Sequence, residues 1–576
     1  MSRFGCTLKA TVILTAMSFV SFPLMAQSDL KDGTYQASAE GKNGPVTVSV
    51  RVDKNKIDKV TVVKHNESRG ISDPALNTIP KRVVETQSLN LDVVTGATLT
   101  SKAILEASAK ALQKSGADIA PLLMPVVGKK AQDSQTKTQI VILGSGAAGM
   151  AAALSATENG ATDVLLLEKM QMLGGSTGRS SGCILHATDE RDKVNNFPAD
   201  KLFEFWMGRS NGKADPQLIR KIADNSKATF EWVRNLGVNF TAFKPVYPGY
   251  QPLHLENPDP QGRFARTNGM LIVNALKDKA STQGLKVMTG TAGEKLLYEN
   301  GKVVGVVAKR HDGSTVTVRS QAVILATGGF DRNLDMLRQY ARPAVGMIAQ
   351  TGEGNQGDGL RMGLDVGADT LFRYGKGGII TVKVDATADM PASFLYIDGQ
   401  GKRFVNETAF YDDVGRAMAD NASQRFFRVY DSADKTSGLE KAVKDGKALK
   451  AKSLKELAQK MRVDAVNFEK TVNRYNNLKE DVDFGKNPQL MKGIRKAPFY
   501  AVQAEPEVIG SFGGLKINTD GQVLKNGKPI VGLYAAGEVA NGSLYDDSYS
   551  YTGTAIQTAL STGRFAGAHA AKSLKR

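Results

Sequence analysis

Thr138-Gln139-Ile140-Val141-Ile142-Leu143-Gly144-Ser145-Gly146-Ala147-Ala148-Gly149 decides the fold of this chain. Ile140 to Leu143 is an unbroken apolar run, as a strand buried on both faces requires. Three glycines follow in G-x-G-x-x-G spacing, and Met150 to Asn159 reads as an alanine-rich helix. Val164-Leu165-Leu166-Leu167 is the next buried strand, and it ends in an acid, Glu168. A lone glycine motif is weak; one set between strand, helix, strand and acid reads as a dinucleotide site. Gly144 allows the tight turn, Gly146 lets the backbone approach a pyrophosphate, and Gly149 permits close packing of helix on strand. Glu168 can accept hydrogen bonds from a ribose hydroxyl. The pattern by itself serves NAD and FAD alike.

The 576 residues suffice for two or more domains with full cores, and 41% hydrophobic content with 58 glycines fits an α/β protein rich in tight turns. The formal charge of +17 is spread along the chain, without the clustered patch of a nucleic-acid binder. It describes a soluble basic protein, or one that attracts anionic partners or substrates. The first 26 residues have a secretory pattern, with Arg3 and Lys9 ahead of an apolar run from Ala10 to Ala26. That run is short for a membrane anchor and lacks a basic stop. The expectation is a cleaved signal ending at Ala26, a periplasmic location and no membrane span afterwards. Cys6 leaves with the signal, so Cys183 remains alone, with no internal disulfide and no C-x-x-C-H haem site. The five histidines offer no metal pattern.

Residues 32–117 read as a first, small α+β module. Thr34–Ala39, Val46–Val52 and Ile57–Val63 alternate as strands do, and Ser101–Gln113 reads as an amphipathic helix. Residues 118–137, polar and proline-containing, read as a linker. Within the module, Asp92-Val93-Val94-Thr95-Gly96-Ala97-Thr98 resembles the D-x-x-[ST]-G-A-T stretch of covalent FMN-binding domains. That resemblance implies that a flavin transferase attaches FMN through its phosphate to Thr98. On local chemistry alone, Thr98 is equally a helix-capping hydroxyl.

Downstream segments resemble the FAD-binding domain of the soluble fumarate reductase flavoprotein superfamily. They are Gly174-Gly175-Ser176-Thr177, Ala326-Thr327-Gly328-Gly329-Phe330, Gly357-Asp358-Gly359, Gly401-Lys402-Arg403-Phe404-Val405-Asn406-Glu407 and Gly532-Leu533-Tyr534-Ala535-Ala536-Gly537-Glu538. The resemblance implies a Rossmann-type α/β domain over 138–368 and 508–576, interrupted by an α+β clamp domain over 369–507. It implies non-covalent FAD held by Gly144, Gly146, Gly149, Glu168, Lys169, Gly175, Ser176, Thr177, Thr327, Gly328, Asp358, Glu538, Ala555 and Ile556. Arg403 is common to the branches of the superfamily and reads as structural.

The substrate side departs from the fumarate reductase pattern. That pattern has a proton-donating arginine after G-K-R-F-V-N-E, a histidine before a G-G pair and a carboxylate-binding arginine near the C-terminus. This chain has Tyr411, Gly510-Ser511-Phe512 and Ser550 at those places, and Thr387 to Met390 where a proton relay belongs. A carboxylate buried without cationic partners is costly. Fumarate and urocanate are therefore disfavoured, while a monocarboxylate stays open with Lys376 or Arg373 as its counter-charge. The same positions resemble the 3-ketosteroid dehydrogenase branch, which carries a tyrosine after R-F-x-N-E and S-Y-x-x-x-G near the C-terminus, here Ser548, Tyr549 and Gly553. By that resemblance Tyr549 and Gly553 hold a substrate carbonyl and Tyr411 moves the α-proton, with Tyr374 as a further substrate-side hydroxyl.

Two flavins on one exported chain can carry electrons from an outside donor, such as a cytochrome c or a quinol dehydrogenase, to a buried acceptor. The expected function is reduction of the C=C bond of an α,β-unsaturated carbonyl compound in anaerobic respiration. The alternatives are a fumarate-, urocanate-, acrylate- or cinnamate-type carboxylate reductase, and an electron-transfer flavoprotein. Thr98→Ala should abolish denaturation-resistant FMN while leaving releasable FAD, measured by flavin fluorescence of the unfolded protein. Persistent bound FMN would remove Thr98 as the attachment point.

Overall fold

The computed structural model describes residues 30–67, 72–91, 93–94, 97–123, 132–189, 196–243, 255–258, 267–372, 378–384, 393–433, 437–546 and 548–574. The proposed signal segment, Tyr374, Arg373, Lys376 and Thr387 to Met390 lie outside these residues. The chain divides into two compact units, the smaller built from residues up to 68 with 75–93 and 98–127.

In the smaller unit, β1 (Gly33–Glu40), β2 (Pro45–Asp53) and β3 (Lys56–Lys64) form an antiparallel meander. Every second residue of β2, from Val46 to Val52, is buried, which is the period-2 pattern read from the sequence. Two helices complete the unit, α1 (Asp73–Thr86) and α2 (Thr98–Gln113). Ala103, Ile104, Ala107, Ala111 and Leu112 of α2 are buried, a stripe at helical spacing. The helix begins three residues earlier than its apolar periodicity suggests, so Thr98 is its first residue, half-buried.

The larger unit is organised by an eight-stranded sheet. Its order is Thr291–Glu299, Lys302–Arg310, Lys528–Ala535, Thr315–Leu325, β4 (Ser134–Leu143), β5 (Val164–Leu167) and Lys286–Met288, with Gln522–Lys525 beside Lys528–Ala535. From Lys528–Ala535 to Lys286–Met288 the neighbours are parallel. Helix α3 (Ala147–Glu158) connects β4 to β5. Val141, Leu143, Leu165 and Leu167 pack into one core, and Ile140, Ile142, Val164 and Leu166 into a second. Cores on both faces explain why these strands read as continuous apolar runs.

Strand β4 begins at Ser134, inside the stretch read as linker. Its polar first residues pair with Val316–Arg319, and backbone pairing asks nothing of their side chains. A second sheet joins Ile348–Ala349, Phe499–Ser511, Phe426–Tyr430 and Leu395–Asp398, with Gly378–Val384 and Ala448–Ala451 also paired to Phe499–Ser511. The long strand Phe499–Ser511 runs past 507, and Ile348–Ala349 joins from before 369. This sheet therefore uses chain from both sides of the interval read as the clamp domain.

Arg403 sits within the second sheet's surroundings at 5% side-chain exposure and bridges two buried carboxylates. Its guanidinium donates to Glu407 at 2.7 Å and to Asp481 at 2.6 Å. Lys486 Nζ lies 3.4 Å from Glu407. Burial acts to raise the Asp481 pKa, but hydrogen bonds from Arg403 and from the Lys486 and Phe484 N–H groups hold it down at about 2. Arg403→Met roughly keeps volume and removes the cation that both acids share. It should cost about 3–5 kcal/mol of stability, read as a lower calorimetric Tm, and an unchanged Tm would show that the network carries no net stability.

Candidate functional site

The site lies at the C-terminal ends of the parallel strands, where α/β sheets bind ligands. At the end of β4, Gly144 turns with φ +101°, and its N–H donates to Leu167 O at 2.8 Å. A Cβ on Gly144 would stand 2.3 Å from Ala326 O, and one on Gly149 would stand 1.9 Å from Gly144 O. Only glycine lets strand, turn and helix approach this closely. Gly146 is the N-cap residue of α3, which points the helix's N-terminal end into the cleft.

Gly144, Gly146, Glu168, Lys169, Gly175, Ser176, Thr177, Thr327, Gly328, Asp358, Glu538, Ala555 and Ile556 all line this cleft. Gly149 lies behind the wall. The glycine turn, the N-terminal end of α3 in the cleft and the acid at the end of β5 fit FAD.

Several of these side chains brace the wall itself. Glu168 accepts from Ser145 N at 2.9 Å, Ser145 Oγ at 2.6 Å and Met170 N at 2.8 Å. An ionised carboxylate has about four acceptor positions, so a ribose hydroxyl would take what remains. Thr177 Oγ1 accepts from Ala147 N at 3.0 Å, and Ser176 Oγ from Gly352 N at 3.1 Å. Lys169 Nζ is paired with Asp358 at 2.5 Å.

Sequence reasoning missed the partners of Glu538. Asn355 Nδ2 donates to Asp331 at 2.8 Å and to Glu538 at 3.2 Å, while Ser511 N donates to Glu538 at 2.7 Å. Desolvation pushes the Glu538 pKa up, and the neighbouring Asp331 carboxylate pushes it further. Asp331 is itself raised by burial. These residues come from four separate segments, and no spacing rule could have joined them.

The two tyrosines come together beside the cleft. Tyr411 is the first residue of the helix Tyr411–Asp420, and its hydroxyl accepts from Thr552 Oγ1 at 3.4 Å. Its ring centroid lies 6.3 Å from that of Tyr549. Tyr549 is 5% exposed, and its hydroxyl accepts from the N–H of the cleft residue Ala555 at 3.0 Å. Burial, with Tyr545 beside it, pushes the Tyr549 pKa above the ordinary phenolic range. Gly553, at φ +88°, is the N-cap residue of the C-terminal helix Thr554–Ser573. Ser550 is wholly buried, and Gly510 lines the cleft without a side chain.

Further neighbours went unread in the sequence. Tyr545 lines the cleft and Phe410 packs at 4.2 Å from the Tyr411 ring. Asp412 is buried, bound to Ile380 N at 3.0 Å, Arg416 Nε at 3.0 Å and Tyr549 N at 2.9 Å. Burial pushes its pKa up, opposed by Arg416 and the two N–H groups. Its adjacency to Tyr411 was the available signal. Among the described residues no cluster of His, Cys, Asp and Glu could hold a metal, and no helix is long and apolar enough to cross a membrane.

Residues 139–556 match the FAD binding domain family and residues 41–113 the FMN-binding domain family. The chain belongs to this FAD-binding family and carries an FMN-binding domain ahead of it. It is 28% identical to the NADH:acrylate oxidoreductase of Vibrio harveyi over 93% of this chain and 61% of that protein. It thus spans about three fifths of that relative's length. It is 29% identical to the urocanate reductase of Eggerthella lenta over 93% of this chain and 92% of that protein. The structure of the 3-ketosteroid-Δ4-(5α)-dehydrogenase of Rhodococcus jostii RHA1 aligns with a TM-score of 0.64 and 24% identity, over 77% of this chain and 99% of that one. This last likeness is one of fold.

A carboxyl whose folded pKa lies above its unfolded value stabilises the fold at low pH and loses that contribution as pH rises. Cofactor-free protein should therefore lose thermal stability from the ordinary carboxylate range up towards neutrality. Glu538→Gln should flatten that slope in Tm measured against pH. An unchanged slope would exclude Glu538 as its source.

Proposed function

We propose that this chain is a flavin-dependent reductase of the C=C bond of an α,β-unsaturated carbonyl compound. The observation that carries the reading is the pairing of Tyr411 with Tyr549 beside the cofactor cleft, with Ser550 and Gly510 at the positions where carboxylate-binding cations would stand. Bound FAD supplies two-electron transfer to the β-carbon. Tyr411 carries a phenolic proton at neutral pH and gives it to the α-carbon. Tyr549 accepts the Ala555 N–H, which polarises its O–H. That O–H and the Gly553 N–H stabilise charge on the carbonyl oxygen, where one such donor is worth about 3 kcal/mol.

The names of the acrylate and urocanate relatives favour a second reading, a carboxylate ene-reductase. That reading would draw its counter-charge from Lys376 or Arg373, outside the described residues, or from Arg179 in the cleft. The Arg179 guanidinium already faces Glu353 at 3.4 Å, so a substrate carboxylate would have to displace that partner. We further infer export to the periplasm from the N-terminal segment, covalent FMN at Thr98 by a flavin transferase, and an external cytochrome or quinol-linked donor feeding the FMN-binding unit.

Steady-state rates on fumarate, urocanate, cinnamate and a cyclic enone, with reduced viologen as donor, separate the readings. The enone should be turned over fastest and fumarate poorly. Tyr411→Phe should lower turnover of the best substrate about 10² to 10⁴-fold, as loss of a general acid does, with little change in KM. Fast, saturable fumarate reduction would replace the enone reading with the carboxylate one. Near-normal turnover by Tyr411→Phe would move proton donation to another group.

A further inference from the structure

The two tyrosines of the proposed site belong to separate segments, and little holds them to each other directly. Tyr411 meets the opposite loop at Thr552 Oγ1, 3.4 Å from its hydroxyl, and at the Tyr549 ring. The stretch from Ser548 to Gly553 is neither helix nor strand, so no backbone ladder sets its path. The two acids that follow Tyr411 are among the groups that hold it, beside the Ser548 hydroxyl on Arg209 O and the Tyr551 ring stacked on Phe410. Asp412 Oδ2 accepts the Tyr549 N–H at 2.9 Å. Asp413 lies 3.3 Å from Arg209 Nη2, and the same nitrogen donates to the Tyr549 carbonyl at 3.3 Å. Consecutive side chains thus reach both polar groups of one residue's backbone.

The chemistry of the two arms differs. Asp412 is wholly buried, and Ile380 N–H, Tyr549 N–H and Arg416 Nε are all donors. An asparagine there must turn its own N–H groups towards at least one of them. Arg416 is anchored in turn, donating to Gly378 O at 2.9 Å. The Asp413–Arg209 arm is more open, at 37% and 21% side-chain exposure, and Arg209 also lies over the Phe410 ring at 5.4 Å.

We propose that Asp412 and Asp413 are positioning residues that fix Tyr549 against Tyr411, and so set the distance between the proton donor and the hydroxyl that holds the carbonyl. The proposal rests on the tyrosine reading of the site. Neither acid touches substrate; both act through where the Tyr549 ring stands. Misplacement of a reacting group by about 1 Å costs on the order of 10²-fold in rate.

The test uses FAD-loaded full-length protein, reduced viologen and whichever of fumarate, urocanate, cinnamate or a cyclic enone it turns over fastest. Asp412→Asn should lower kcat about 10- to 100-fold with FAD content retained and KM little changed. Deuterium exchange of the peptide carrying Tyr549 should rise in that variant without a general rise elsewhere. Asp413→Asn, on the open arm, should give a smaller loss of the same kind and serves where Asp412→Asn folds poorly. In a Tyr549→Phe background either substitution should cost far less than in the parent, because the hydroxyl it places is gone. An equal cost in both backgrounds, or kcat within twofold of the parent for both single variants, would overturn the proposal. Should Tyr411→Phe and Tyr549→Phe themselves turn over normally, the tyrosine reading falls, and the positioning role falls with it. Impaired tyrosine variants beside normal aspartate variants would remove the positioning role alone.

Discussion

The close approach of three backbones at the end of β4 is the constraint on which the larger unit depends. Gly149 brings α3 against Gly144 O, and Gly144 brings the turn against Ala326 O, at separations no Cβ would allow. The same demand recurs on the far side of α3. A Cβ on Gly563 would stand 2.3 Å from Ala148 O and one on Gly567 2.1 Å from Ala152 O, so the C-terminal helix lies directly on α3. Ser155 Oγ donates to Arg564 O at 2.9 Å across that contact. The helix that carries the dinucleotide turn therefore also locates the helix that follows Gly553, and with it the loop bearing Tyr549. One glycine-lined helix pair thus places the cofactor wall and the loop of Tyr549 together.

Charge is distributed unevenly around the cleft. Two of its acids are satisfied by neutral donors, Glu168 by Ser145 and Met170 and Glu538 by Asn355 and Ser511. Its cations are already committed, Lys169 to Asp358 and Arg179 to Glu353. Among the described residues the cleft thus has little spare positive charge for a doubly anionic substrate, which agrees with the uncharged conjugated carbonyl proposed on the Tyr411–Tyr549 pair although relatives are named for carboxylates.

Clusters of like chemistry serve different ends in the two parts of the larger unit. Around Arg403 the charges are paired almost without exposure and hold the second sheet's surroundings together. Around Tyr411 the paired charges are turned to geometry, since Asp412 and Arg209 end on backbone groups of Tyr549. The first network is buried throughout, whereas the second has a buried arm at Asp412 and a more open one at Asp413 and Arg209.

The strand–turn–helix at Thr138 to Gly149, the acid at the end of β5 and the meander of the first unit were legible in the amino-acid sequence because each rests on a local rule, while the other residues of the cofactor cleft were read through family resemblance. Apolar continuity marks a strand buried on both faces, alternation marks a half-buried one, and glycine spacing marks a turn that a pyrophosphate approaches. Tyr411, Tyr549 and Gly553 were legible only through family resemblance, since a tyrosine carries no periodicity that separates a packed ring from a working hydroxyl. The start of β4 at Ser134 was hidden because backbone pairing with Val316–Arg319 requires no particular side chain. Tertiary structure alone decided that Asn355 joins Asp331 to Glu538, and that Asp412 and Arg209 grip Tyr549 from two sides. Those contacts link residues more than a hundred positions apart in the case of Tyr549. Hydrogen bonds of that reach exist only once the sheet and the helix pair have brought their ends together.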